Sequence, residues 1–109
     1  MVTTTHTPQY RLENYEVEAI LENAEIDTTW AFGFMINREK TYMQFWDRVD
    51  GTGYQRDYRA LNKALNDLIT NDRLPGWFLE ELRYDDIQGD ATVADMIIQW
   101  AAFGEVLYS

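Results

Sequence analysis

Between residues 93 and 103 the only polar side chains are Asp95 and Gln99. Val93, Ala94, Met96, Ile97, Ile98, Trp100, Ala101, Ala102 and Phe103 surround them, so a helix here is apolar on nearly every face. Such a helix either lies at the centre of a fold or meets a second chain. Its ends are marked. The Thr92 hydroxyl can cap the start, with Asp95 three residues on, and Gly104 suits the left-handed stop. The remaining segments must supply layers that cover 92–103, or the helix is a seam between two copies.

Those layers can be read in turn. Pro8 keeps the residues before it out of helix, so 1–10 read as an extended, flexible arm. Over 12–25, Val17, Ile20, Leu21 and Ala24 recur at helical spacing. The run 28–36 is short and rich in strand formers, which predicts a buried strand. Residues 37–40 suit a hairpin loop, and 41–49 suit the returning strand. Tyr42, Phe45, Trp46 and Val49 also match helical spacing, but a lone strand at 28–36 would have nothing to pair with. After Gly51-Thr52-Gly53, the spacing of Tyr54, Tyr58, Leu61, Leu65 and Leu68 predicts a helix over 54–70. Its opposite face carries Arg56, Arg59 and Lys63. Pro75 opens a shorter helix over 75–84. The order is α-β-β-α-α-α, a single α+β domain over 1–109 with a small β-hairpin and about four helices. An all-α fold is the alternative if 41–49 is helical.

Chemistry is narrowly bounded by what the chain lacks. It has no cysteine, its only histidine is His6, and its only serine is Ser109. A Ser-His-Asp or Cys-His arrangement has no parts, and zinc has almost no nitrogen or sulfur ligands. Asp47 to Gly53 fails as a calcium loop, because alignment on Gly53 puts Arg48 and Arg59 where acids are required. Asp85, Asp86 and Asp90 have loose spacing for a divalent ion and read as a solvated turn. The expectation is a protein that is not an enzyme and that uses no metal or cofactor. Residues 1–11 lack the apolar core of a signal peptide, and no stretch approaches a membrane span, so a cytoplasmic location is expected.

What remains is charge. The chain carries 19 acids against nine bases, a net −10. Residues 1–37 hold six acids against Arg11, and 64–109 hold nine against Arg73 and Arg83, whereas 38–63 have six bases against four acids. Such a field repels nucleic acid and anionic membrane and favours a basic partner. Two local features stand out. Glu18, Glu22 and Glu25 share a face of the first helix, recurring on the scale of phosphates along a nucleic-acid strand. Glu80, Glu81, Asp85, Asp86 and Asp90 form a second cluster near Trp77 and Phe78. Carboxylates beside large rings suit an arginine-rich target, because Arg pairs with the first and stacks on the second. Aromatic residues make up 15% of the chain, and such residues are enriched at interface cores.

In size, acidity, absence of cysteine and the carboxylate stripe, the chain resembles the small acidic phage and mobile-element proteins that block bacterial defence, of the anti-CRISPR and antirestriction type. The resemblance implies a non-enzymatic inhibitor of a basic nucleic-acid-handling protein, in some cases by mimicking DNA. The residues expected to meet the partner are Glu18, Glu22, Glu25, Trp77, Glu80, Glu81, Asp85, Asp86 and Asp90. Two alternatives fit the same features. One is an immunity protein or antitoxin for a basic nuclease toxin. The other is a homo-oligomeric phage structural or adaptor protein, dimeric through helix 92–103.

Overall fold

The computed structural model describes residues 9–108, so most of the arm expected at 1–10, with His6, lies outside the described residues. At its centre is the apolar helix, α4, at Ala91–Phe103. Val93, Ala94, Ile97, Ile98 and Gln99 are buried, and Met96, Trp100 and Phe103 pack partly against the same core. The apolar girdle of α4 is thus spent inside its own chain. Over 92–103 the side chains not buried are half-buried, apart from exposed Thr92. The N-cap is Asp90 rather than Thr92: its carboxylate accepts from the Val93 N–H at 2.8 Å. Gly104 ends the helix in the left-handed region at φ 74, as its position predicts.

The fold is α+β, with four helices and a three-stranded antiparallel sheet, one strand more than the expected hairpin. Strands β1 (Ala31–Asn37), β2 (Tyr42–Asp47) and β3 (Gly53–Asp57) follow one another in space as in sequence. Met43, Phe45 and Asp47 of β2 are buried and alternate with the outward Tyr42, Gln44 and Trp46. That period of two makes 42–47 a strand, inside the expected 41–49, with 48–49 in the turn that follows. The correction falls on 53–57, expected to begin a helix. Tyr54 and Arg56 here alternate inward with the outward Gln55 and Asp57, opposite Phe45 and Met43 of β2. Helix α2 starts only at Tyr58 and runs to Thr70, because the Asp57 carboxylate caps it through the Ala60 N–H.

The displaced boundary changes what Arg56 does. It is not part of a helical basic stripe with Arg59 and Lys63. From β3 it donates to the Ala101 and Ala102 carbonyls at 2.8 and 3.0 Å. A guanidinium thus meets the negative end of the α4 dipole. Helix α1 is also shorter than 12–25: it spans Asn14–Leu21, and a 3-10 turn at Ile26–Thr28 follows. The turn carries Ile26 into the core, where it is 1% exposed. Helix α3, Gly76–Arg83, buries Phe78 and Leu82.

A buried polar network closes one side of the core. Gln99 is fully buried and uses its whole amide: it donates to Asp95 Oδ1 and the Tyr108 carbonyl and accepts from the Leu107 and Tyr108 N–H groups. Tyr108 stacks on Trp30 at 4.9 Å and donates to buried Asp47. Burial pushes the Asp95 carboxyl up from its ordinary value, against hydrogen bonds from Gln99 and Trp30 that pull it down. A raised carboxyl holds its proton longer folded than unfolded. Its contribution therefore favours the fold at low pH and is lost as pH rises from about 4 through the raised value. Asp95→Asn keeps the oxygen that Trp30 and Gln99 use. It is expected to be at least as stable as the parent at pH 7 and to show a shallower loss of Tm between pH 4 and pH 7. Melting curves followed by circular dichroism check this, and a variant less stable at pH 7 contradicts it.

Candidate protein-docking face

The fold separates the nine residues expected to meet a partner into two groups, those held by the chain itself and those left to solvent. Glu18 is half-buried, accepts from the Tyr58 hydroxyl at 2.8 Å, and lies 3.7 Å from Arg38 of the first hairpin. That bond and burial push the Tyr58 hydroxyl up to about 12, burial being the larger cause. Glu22 receives Arg38 at 2.7 Å, and Glu25 has left α1 for the start of the 3-10 turn. The three carboxylates therefore do not form one free helical stripe: Arg38 of the hairpin pairs with two and offsets one of their two charges, and the early end of α1 displaces the third.

In the second cluster, Glu81 accepts from the Gln88 and Gly89 N–H groups at 2.9 Å each, holding the loop after α3, and Asp90 is the α4 cap. Both carboxylates serve the fold. Glu80, Asp85 and Asp86 are exposed and form no ion pair among the described residues. Trp77 is 43% exposed, whereas its neighbour Phe78 is fully buried.

The exposed acids do not stand alone. Asp85, in the left-handed region at φ 56, comes against the first turn of α1. There Glu16 is buried and accepts from the Glu13 N–H at 2.8 Å. Burial raises the Glu16 carboxyl, the Glu13 N–H lowers it, and the Asp85 carboxylate raises it further. The adjacent Tyr15 hydroxyl is raised too, first by Glu16, with contributions from burial, Asp85 and Glu13. Tyr15 and Tyr84 are 68% and 72% exposed. One face thus joins the start of α1 to the end of α3, with Glu13, Glu16 and Asp85 gathered about Tyr15, and Tyr84 beside Asp85 in the chain. The sequence pointed to Asp85 but not to Tyr15, Glu13 or Glu16. The helical pattern at 12–25 gave them no signal, since Asp85 reaches them only through tertiary packing.

The outer face of the sheet is the second exposed feature, and sequence reading missed it. The segment 28–36 was expected to be buried. Instead β1 is an edge strand with Phe32 and Met35 turned outward. Phe32 pairs with Trp46 across the ladder, and their rings stack at 6.0 Å. The indole lies over Gly33 and Gly53, where an added Cβ would come within 2.8 and 2.9 Å of it. Only glycine on both neighbouring strands admits the ring, and Gly33 also sits at φ +67. No homologous protein family, characterised protein or solved structure matches this chain. No helix among the described residues is long and apolar enough to cross a membrane.

Proposed function

We propose that this protein is a non-enzymatic inhibitor that acts in the cytoplasm by docking on a basic nucleic-acid-handling protein. The observation that carries the reading is the exposed carboxylate of Asp85, without an ion pair among the described residues, beside exposed Tyr84 and close enough to Glu16 and exposed Tyr15 to shift both. Arginine is the side chain such a face recognises, through bidentate carboxylate pairing and stacking on the rings. Glu80, Asp86 and Trp77 extend the same chemistry along α3 and the loop after it. Relative to the expectation from sequence, weight moves from Glu18, Glu22 and Glu25 to this face. The reading accords with the class of acidic anti-CRISPR and antirestriction proteins. An immunity protein for a basic nuclease toxin would use the same surface.

Affinity capture from the native cell, followed by identification of what co-elutes, separates the two. With that partner in hand, Glu80→Lys, Asp85→Lys and Asp86→Lys combined are expected to lower the association rate by about tenfold or more at low salt. Circular dichroism should stay unchanged, because among the described residues the carboxylates that hold backbone N–H groups here are Glu81 and Asp90, not these three. The parent complex should weaken steeply as salt is added. An unchanged association rate, or a complex indifferent to salt, refutes the electrostatic docking face.

A further inference from the structure

A groove of about 700 Å³ runs between residues 9–14 and the first turns of α2. Its walls are fixed. Asn66 accepts from the Tyr10 N–H, Asn62 accepts from the Leu12 N–H, and both amides donate to the Tyr10 carbonyl, all at 2.8–2.9 Å. The backbone on either side of Arg11 is thereby clamped to α2. Arg11 lines the groove from one wall, and Arg59 and Lys63 line it from the other.

The charge here is opposite to that of the whole molecule. The single carboxylate in the lining, Asp67, is held by Lys63 at 3.0 Å. Arg11 and Arg59 have no ion pair among the described residues, in a chain where acids outnumber bases 19 to nine. Arg59 also stands in the first turn of α2, where the helix dipole disfavours a cation. The chain thus keeps two uncompensated guanidinium groups at a preformed concavity. Gln9 and Asn14 add amide donors and acceptors, and Leu12 and Val17 add apolar surface. The volume lies within the range of small-molecule sites.

We infer that this groove binds a small organic phosphate of nucleotide size, its phosphates bridging Arg11 and Arg59 and its uncharged part resting on Leu12 and Val17. Guanidinium groups favour phosphate through paired, charge-assisted hydrogen bonds. Recognition is local, because the net charge of −10 opposes any anion at long range, and added salt screens that repulsion as well as the pairing in the groove.

The test is isothermal titration calorimetry of the whole protein at low salt, without divalent metal, using ADP and pyrophosphate as probes. Saturable one-to-one binding of ADP is expected. The double variant Arg11→Gln with Arg59→Gln is expected to weaken it by at least about tenfold, the loss of one or two charge-assisted bonds. Arg73→Gln, outside the groove, should bind as the parent does. Both groove arginines are exposed and neither side chain forms a hydrogen bond among the described residues, so the fold should persist, which circular dichroism verifies. Pyrophosphate binding as tightly as ADP would place all recognition on the phosphates and remove the role of Leu12 and Val17. No binding of either probe, or equal affinity in the parent and the double variant, overturns the assignment. Neither outcome bears on the acidic docking face, whose residues do not line the groove.

Discussion

Gln99→Ala is expected to destabilise the protein by about 2–4 kcal/mol and to free the C-terminal tail. The amide is fully buried and all four of its hydrogen-bonding positions are filled. Truncation removes the one oxygen, Gln99 Oε1, that accepts from both the Leu107 and Tyr108 N–H groups, and the amide donor to the Tyr108 carbonyl. It also leaves the raised Asp95 carboxyl with Trp30 as its remaining partner. The tail can recover those bonds from water only by leaving the core. Doing so breaks the stack of Tyr108 on Trp30 and the bond from its hydroxyl to Asp47. Urea denaturation should show the lower midpoint, and amide exchange should show Leu107 and Tyr108 exchanging faster than the strands. A loss below about 1 kcal/mol would mean that the tail contributes little to the fold.

Phe45→Ala should cost about 3–5 kcal/mol, the range for removing a buried phenyl ring. Phe45 has no exposed surface and sits among three rings: Trp30 edge-on at 5.3 Å, Tyr54 stacked at 5.3 Å, and Phe103 at 6.3 Å. These come from separate segments, so no single side chain can collapse into the space. On the other side of the sheet, Phe32→Ala removes a ring that is 42% exposed, and should cost less than half as much. Chemical denaturation of both variants checks the contrast. Equal losses would mean that the sheet is covered on both faces.

Much of the architecture was legible in local pattern. Helix α4, its Gly104 stop and the leucine seam of α2 follow from spacing and stop signals that depend only on backbone geometry, whereas the first hairpin follows from the need of 28–36 for a pairing strand. The acidic excess was legible too, since charge needs no fold to be counted. The boundary at 53–57 was not. Tyr54, Tyr58 and Leu61 satisfy helical spacing, while Tyr54 and Arg56 equally satisfy the period of two. The decision belongs to β2, which offers Tyr54 and Arg56 a ladder, and to Asp57, which caps the helix after them.

The candidate sites divide along the same line. Sequence alone determined that the protein carries excess carboxylate at both ends, lacks a histidine, serine or cysteine set for nucleophilic chemistry, and needs layers around one apolar helix. Only the tertiary structure decided which charges are free. Arg38 crosses from the hairpin to Glu18 and Glu22, and Glu81 and Asp90 turn inward to hold backbone. Asp85 meets Glu16 and Tyr15, about seventy residues away in the chain. Arg11 and Arg59 face one groove because two asparagines of α2 hold the arm. The physical reason is range. Periodicity and composition report what a residue is and which way its own backbone turns it. Pairing and exposure depend on groups that packing brings together from distant segments.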